Sequence, residues 1–533
     1  MPGSWRDADL VRELTLPLAL VSAYASLGGA TYGWDANYWS GLLGMTQFCK
    51  DFGVFNQAAD AWEIPSSWQS AGSGAPQAAI ACGCLVAGLI GDKFGRIKTF
   101  MIASIIAIIG IIIQASAFSY WQILVGRMVN GVSMGIICNA VPIYQAECAP
   151  AKIRGSLVNA YQFWLLVGGT MAVTVNYCLY TRVDQWAYRV VIILQFLIPI
   201  VMLIGVFVLP ESPRWLIKKG RRDDAAKVLQ LLRRGTPAAV IEEEVNLLAA
   251  AEDEQERNFH ASTWLDCFRG TNLRRTAIAT GVQCLQQAQG NSFIINYSIT
   301  FLQQIGITDS YKILCLLYFV NCLSSAFAFY FSDKIGRRPL LFGGALICGI
   351  SMFSVAGVTG YDEGNQQSLK GALAALFLWQ FTQALTWASC VWIVTSEVST
   401  LHLREKTITI ATFSGFCIGV LVTFINPFMQ GAPGNLAGRV GFIYAAFSIA
   451  AAAWTAFMLP EMKGRSLEEL DELFDKKVGV WAFGKYKTEG WGKMLRDIED
   501  ETGKNIMEGV EVHGSEAERE GEKGLREKNV VEV

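Results

Sequence analysis

Amide and hydroxyl side chains are concentrated in one otherwise apolar stretch of the chain, residues 283–297. Gln286, Gln287, Asn291 and Ser292 are its central members. Amides donate and accept hydrogen bonds, and inside a membrane they are costly unless they face a cavity or a partner. The pattern predicts an uncharged polar face that binds hydroxyl groups rather than ions. The alternative is that these amides only hydrogen-bond neighbouring helices.

An acid and a base also lie inside apolar stretches. Asp35 follows Gly33-Trp34, and Arg127 is the lone charge of a glycine-bearing stretch. A carboxylate at membrane depth costs roughly 2.5–3.5 kcal/mol, so it needs a partner or an interior role. Arg127 is the natural partner. Alternatively, Asp35 reaches water near the outer interface, and Arg127 is satisfied by carbonyl groups or by Asn130.

Two charged turns repeat along the chain. The strings DKFGR at 92 and DKIGR at 333 lie 241 residues apart, each between apolar stretches. A glutamate also precedes an arginine by seven residues in both halves, at 147 and 154 and at 397 and 404. This period predicts two homologous membrane halves. We expect charge pairs at 92 to 154 and at 333 to 404 to latch one end of the helices. The alternative is that these are exposed surface charges.

The composition defines the elements that must position these residues. The chain has 533 residues, of which 52% are hydrophobic and 17% charged, with a formal charge of −2. These values predict an all-α membrane protein and argue against a nucleic-acid partner. Twelve transmembrane helices, called spans one to twelve, are predicted at residues 14–43, 66–90, 97–117, from 121, 157–180, 190–209, from 276, 313–331, 340–358, 373–398, 407–428 and 440–459.

The predicted organisation is two pseudo-symmetric halves of six helices, residues 14–209 and 276–459. A cytoplasmic helical linker, 210–275, joins them. Residues 1–13 and 460–533 form the termini, the latter largely disordered after about 480. Basic residues concentrate in alternate connections, which places both termini in the cytoplasm.

The motifs together resemble the sugar porter family of the major facilitator superfamily over roughly residues 14–475. They are GWD at 33, GDKFGR at 91, the Gly126-Arg127 pair, PIYQAE at 142, RG at 154, PESPRWL at 210, QQ at 286, DKIGRRPLL at 333 and PEMKGRSLEELDELF at 460. Further strings, WAYR at 186, LREKT at 403 and GRVGF at 438, are most similar to fungal hexose and α-glucoside permeases.

The resemblance implies roles for individual residues. Sugar contacts fall on Gln162, Gln286, Gln287, Asn321 and Trp392, with Asn291 and Ser292 beside them, and proton coupling falls on Asp35 and Arg127. A cytoplasmic gate falls on Asp92, Arg96, Glu147, Arg154, Glu211, Arg214, Asp333, Arg337, Arg338, Glu397, Arg404 and Glu461. The implied protein is a plasma-membrane monomer that carries a neutral sugar by alternating access. It has no metal and no cofactor apart from the proton as coupling ion.

Three departures from the family pattern surround this site. Ser292 stands where asparagine is usual, span ten lacks its hinge proline, and Gly415-Phe416 replaces an Asn-Trp pair. They make a disaccharide or a polyol more plausible than glucose. A facilitative uniporter and a non-transporting sensor are the alternatives, the sensor being disfavoured by a modest tail. No enzyme is indicated, because no nucleophile elbow, phosphate loop or metal-ligand cluster occurs and the three histidines are scattered.

Overall fold

The structure is a computed structural model of the chain. It describes residues 15–57, 60–149, 154–233, 263–304, 309–361, 366–400, 403–431, 434–463 and 467–484, together with residues 241, 242, 245, 246, 249, 465 and 486. The N-terminal segment 1–13 and nearly all of the predicted disordered tail therefore lie outside the described residues.

Twelve long helical segments within the described residues confirm the predicted spans. Their bounds are Leu16–Leu43, Ser66–Phe94, Arg96–Ala115, Tyr120–Cys148, Arg154–Leu179, Trp186–Leu194 with Leu197–Gly205, Gly270–Gln286 with Ser292–Gln304, Ser310–Ile335, Arg337–Tyr361, Gln366–Gln383 with Ser389–Val398, Arg404–Gln430 and Val440–Met458. Eight of them are long and apolar enough, by length and composition, to cross a membrane.

Three spans are interrupted. Span six breaks between Leu194 and Leu197, because Pro199 cannot donate to the carbonyl four residues earlier. Span seven contains a π turn, Gln287–Asn291, in which Gly290 adopts φ +101°. Span ten contains a second π turn, Ala384–Ala388, so this helix is irregular at the expected hinge although it has no proline there.

The repeated charged turns are shorter than predicted. Spans two and eight continue through the acid and the lysine to Phe94 and Ile335, and the next spans start at the arginines. Only Gly95 and Gly336 lie between the helices, with φ +93° and +104°. A backbone of this kind is restricted almost entirely to glycine. The two halves therefore repeat the same turn geometry.

The two ends of the bundle differ in how the halves meet. We call the end of the bundle at which span one begins the terminal face. The end at which span one ends is the distal face. At the distal face one hydrophobic cluster includes residues of both halves, among them Trp39, Tyr188, Tyr297 and Tyr318. A second cluster, which contains Leu18, belongs to the N-terminal half and its adjoining linker.

Shorter elements complete the fold. On the distal face Thr46–Phe52 is helical, and Val54–Asn56 pairs antiparallel with Ala61–Glu63. In the linker, Pro213–Lys218 and Arg222–Leu232 are helical and pack with the buried residues at 241, 245 and 249, whose spacing is that of one helix face. Residues from Pro460 onward form a separate compact unit that contains the helix Leu467–Asp475.

Candidate functional site

A polar cavity lies between the two halves. It encloses about 480 Å³ of empty space, part of it open to solvent. Spans one, two, four and seven contribute its lining, which consists of Tyr32, Asp35, Ala36, Ser73, Pro76, Gln77, Ile80, Arg127, Gln287, Asn291, Ser292, Ile295 and Asn296. The predicted amide face and the predicted proton site are thus walls of the same cavity.

The amides of span seven divide between the cavity and the neighbouring helices. Gln287 lines the cavity, and its Oε1 accepts a 2.6 Å hydrogen bond from Ser292 Oγ. Gln286 instead donates to the carbonyl of Trp387 at 3.2 Å, and Gln283 donates to Thr395 Oγ1 at 3.2 Å. The amides of this span therefore serve two surroundings, the cavity and the neighbouring helix of span ten.

Asp35 is paired with an amide rather than with the expected arginine. Asn130 Nδ2 donates to Asp35 Oδ1 at 2.6 Å, and Asp35 is 3% exposed. The Arg127 guanidinium donates instead to the carbonyl of Gly72 at 2.7 Å and stacks over the Trp39 ring, 4.0 Å from its centroid. The predicted direct contact between Asp35 and Arg127 is not formed. Arg127 is satisfied by a carbonyl group, which the sequence left as the alternative, whereas the hydrogen bond from Asn130 to Asp35 was not predicted.

Four other predicted sugar contacts do not line this cavity. Gln286 donates a hydrogen bond to Trp387 O of span ten, and Asn321 of span eight is buried. Gln162 is half-buried, and Trp392 is 37% exposed. Their roles as sugar contacts stay predictions.

Sequence reasoning missed the contribution of span two. Ser73, Pro76 and Gln77 all line the cavity, opposite the amides of span seven. Gly419 of span eleven also faces this region, because a Cβ there would lie 3.3 Å from Ser292 Oγ and 3.4 Å from Gln77 Nε2. The available signal was a proline followed by an amide inside an otherwise apolar helix.

The cavity is closed on its distal side. Hydrogen bonds between the halves cluster there in the part of the chain that the structure describes, and tyrosine hydroxyls donate three of them. They include Tyr311 to Gly41 O at 2.6 Å, Ser70 to Phe424 O at 2.7 Å, Tyr297 to Gln69 O at 3.3 Å, Gln303 to Gly44 O at 3.3 Å, and Tyr318 to Asn37 Oδ1.

Charged residues of the predicted gate form matching pairs at the terminal face. Arg96 binds Glu147 through two bonds of 2.8 and 3.1 Å, and Arg337 binds Glu397 at 3.0 Å. Each pair joins the arginine after a charged turn to a glutamate in the last turn of a helix of the same half. The predicted pairs 92 to 154 and 333 to 404 lie outside the described side chains.

Glu211 caps the first of these turns. Its carboxylate accepts from the backbone N–H of Arg96 at 2.9 Å and from that of Ser212 at 3.0 Å. Burial raises the pKa of the Glu211 carboxyl above its ordinary value, and these N–H donors oppose the shift. The cap thereby anchors the start of span three to the segment that follows span six.

The remaining gate residues are placed as follows. Arg338 donates to Ala456 O at 2.6 Å near the end of span twelve, where a cation suits the helix C-terminus. Glu461 accepts from the N–H of Lys463 at 2.9 Å, and Arg214 is half-buried.

The chemistry that the cavity supports is reversible binding of an uncharged, hydroxyl-rich molecule. Its walls offer amide and hydroxyl groups on one side and a buried acid on the other. Among the described residues no group of three or more His, Cys, Asp or Glu side chains could hold a metal ion.

Comparisons with known proteins show which proteins this chain is similar to. The sequence profile described as "Sugar (and other) transporter" matches residues 21–474. The probable glucose transporter rco-3 of Neurospora crassa is 31% identical over 515 residues, with 93% of this chain and 85% of the other covered. The high glucose sensor of Saccharomyces cerevisiae is 30% identical over 519 residues, with 93% and 65% covered.

The fold is also found among solved structures. The proton:xylose symporter XylE bound to 6-bromo-6-deoxy-D-glucose has a TM-score of 0.71 and 22% identity, with 86% of this chain and 99% of the other covered. XylE comes from E. coli. At this identity the likeness establishes the fold of two six-helix halves.

Proposed function

The chain belongs to the sugar (and other) transporter family of the major facilitator superfamily, and from that premise we propose that it carries a neutral sugar by sugar:proton symport. Membership makes it a multi-pass membrane transporter rather than an enzyme. The observation that carries the proposal is the cavity between the halves, which places the amides of span seven opposite Asp35.

A neutral sugar suits the lining of this cavity. Gln287, Asn291 and Asn296 supply uncharged donors and acceptors that match hydroxyl groups. Arg127 is held by Gly72 and Trp39, so it does not offer an open cation to an anionic substrate. Mono- and disaccharides both fall within this class, and substrates named for relatives, glucose and xylose, are first choices for a panel.

Alternating access follows from the asymmetry between the two faces. The distal face is closed by hydrogen bonds between the halves, and we expect substrate to reach the cavity from the terminal face in this conformation. We assign the terminal face to the cytoplasm of a plasma membrane, because the basic residues concentrate there. Rocking of the halves would then open the distal side to the exterior.

Proton coupling is assigned to Asp35. A buried carboxylate inside the substrate cavity can change charge as the cavity opens to either side. One proton crossing about 100 mV supplies roughly 2.3 kcal/mol, which corresponds to about fiftyfold accumulation of the sugar.

Tracer uptake in a host without sugar transporters tests the function. A panel of monosaccharides, disaccharides and polyols is offered at several external pH values, with external pH recorded in lightly buffered cells. Symport predicts accumulation together with alkalinisation of the medium. Equilibration without proton movement would identify a uniporter, and binding without uptake would identify a sensor, a role that the printed name of one relative supports.

A further inference from the structure

Span two contains a proline in its interior, and this proline changes what the helix offers to its neighbours. Pro76 has no backbone N–H, so the carbonyl of Gly72, four residues earlier, cannot receive the usual helical hydrogen bond. That carbonyl is the group to which Arg127 donates at 2.7 Å. The acceptor of the arginine is therefore a product of the proline.

The replacement of a helical hydrogen bond by one from Arg127 matters because both groups are buried. Arg127 is 3% exposed, and Gly72 is also buried. A buried carbonyl and a buried guanidinium each need a partner. The Arg127 Nε still has no hydrogen-bond partner in this conformation. The arginine thus retains a donor while its terminal nitrogen is bound to span two.

A second proline inside a span also releases a carbonyl that a side chain from another span then binds. Pro427 lies inside span eleven, and the carbonyl four residues before it belongs to Thr423. Tyr297 of span seven donates its hydroxyl to that carbonyl at 2.9 Å. In two spans, therefore, a carbonyl released by proline is occupied by a side chain from a different span.

We propose that Pro76 is a positioning residue for Arg127: it creates a carbonyl docking point that holds the guanidinium away from Asp35 in the conformation closed at the distal face. Asp35 is then left with the uncharged partner Asn130. The consequence for proton coupling rests on the proposed symport, whereas the positioning itself does not.

The groups that face the acid and the base are otherwise uncharged. The phenols nearest to them are Tyr32 and Tyr38 of span one, Tyr120 of span four and Tyr297 of span seven. Cys84 and Cys138 adjoin Tyr32. Among these described groups, the position of the Arg127 guanidinium therefore has the largest effect on the electrostatic potential at Asp35.

A double-mutant cycle on thermal stability tests the proposal without requiring transport. Arg127→Met should lower the Tm of the purified full-length protein, because Gly72 O loses its donor. In a Pro76→Ala background the restored N–H satisfies Gly72 O, so the same substitution should cost much less. Pro76→Ser, which also restores the N–H, provides a second background. Equal losses of Tm in the wild-type background and in both Pro76 variants would overturn the proposal.

Pro142→Ala is the matched control for this cycle. Pro142 lies inside span four, and the carbonyl that it releases is that of Cys138, to which no described side chain is seen to donate. The effect of Arg127→Met should be the same in the Pro142→Ala background as in the wild type. A structure of the Pro76→Ala protein decides the point directly: a guanidinium displaced from Gly72 is expected, and one still bound there contradicts the proposal.

Uptake measurements then separate this inference from the function. If the wild-type protein carries sugar in an Asp35-dependent, pH-dependent manner, Pro76→Ala should move half-maximal uptake to more acidic pH, because a nearer guanidinium favours the charged carboxylate. Identical pH profiles for the wild-type and Pro76→Ala proteins would refute the coupling role. Failure of the wild type to transport would count against the proposed function and leave the stability cycle as the test of positioning.

Discussion

Asn130 donates a 2.6 Å hydrogen bond to Asp35 Oδ1, and its own Oδ1 is buried without a hydrogen-bond partner. An amide can serve both forms of a carboxyl group, because its NH₂ donates to the carboxylate and its oxygen accepts from the protonated acid. Arg127, three residues earlier on the same helix face, is bound elsewhere. The hydrogen bond with Asn130 is therefore compatible with both the carboxylate and the protonated form of Asp35.

Replacing Asp35 by Asn should abolish accumulation while leaving exchange intact. Without a titratable group the carrier still binds sugar and rocks, but it cannot draw on the proton gradient. We expect the ratio of internal to external sugar to fall to about one, with tracer counterflow retained. Asp184→Asn, which removes an exposed ion-pair partner on the distal face, is the control and should accumulate normally. Accumulation by the Asp35→Asn protein would exclude symport through this residue.

Gln287→Ala should weaken substrate affinity more than it slows turnover. The substitution removes a cavity-lining amide that faces an uncharged ligand, and one such hydrogen bond contributes about 0.5–1.5 kcal/mol. KM for the best substrate should rise by about two- to tenfold, with kcat changed less. Gln47→Ala, whose amide binds Asp51 on the distal face, should leave KM unchanged. An unchanged KM in Gln287→Ala would remove this residue from the binding site.

Gly95→Ala should destabilise the protein. Gly95 has φ +93° and ψ +169°, and a Cβ there would lie 2.5 Å from Glu211 Oε2. Strain in this backbone region costs about 1–3 kcal/mol, before any displacement of the Glu211 cap. A lower Tm in detergent is the readout. Gly343→Ala is the control, since nothing lies within 4 Å of a Cβ at that position, and it should be neutral or slightly stabilising.

The pH dependence of stability should change in Glu211→Gln. Burial raises the folded-state pKa of Glu211 from its ordinary 4.5, so the folded protein holds this proton more tightly than the unfolded chain. The resulting stabilisation is complete below pH 4.5 and is lost as pH rises through the folded-state pKa. The decline of Tm above about pH 4.5 should therefore be shallower in Glu211→Gln than in the wild type.

A control of opposite sign is available on the linker. Hydrogen bonds from Arg221 and Lys227 lower the pKa of Asp224, an exposed carboxyl, so its stabilisation is present at neutral pH and lost on acidification. Asp224→Asn should therefore lower Tm at neutral pH, and its Tm should converge with that of the wild type as the pH becomes acidic. Identical Tm profiles for wild type and Glu211→Gln would show that the cap does not titrate in this range.

Tyr311→Phe should favour opening of the distal face. The hydroxyl bridges the halves by donating to Gly41 O at 2.6 Å, and its loss should shift the equilibrium by about 0.5–1.5 kcal/mol, which is about twofold to tenfold in population. Distances between spin labels on the distal ends of spans one and eight report the change. Tyr177→Phe, at a half-exposed tyrosine, should leave the distances unaltered, and an unaltered distribution in Tyr311→Phe would contradict the closing role.

The twelve helices and their repeat could be predicted because the signals are local. Long apolar stretches specify membrane helices, and the strings at 92 and 333 mark equivalent turns. The presence of a polar site in span seven was likewise visible. Which amides face the cavity was not, because Gly290 and the π turn rotate the second part of the span relative to the first. A regular helical period does not describe such a helix.

The partner of Asp35 could not be predicted for a different reason. Whether Arg127 reaches Asp35 depends on where the Gly72 carbonyl lies, and that carbonyl belongs to another helix, 55 residues before the arginine. Opposite charges suggested an ion pair, whereas a released carbonyl and the Trp39 ring hold the arginine instead. Competition of this kind is visible only after the helices are packed.

The ion pairs Arg96–Glu147 and Arg337–Glu397 each join helices of one half. If the halves rock relative to one another as proposed, both members of each pair move together, so these two ion pairs need not be broken. The hydrogen bonds described between the halves at the distal face are neutral, so single hydroxyl groups there can adjust the conformational equilibrium in small steps.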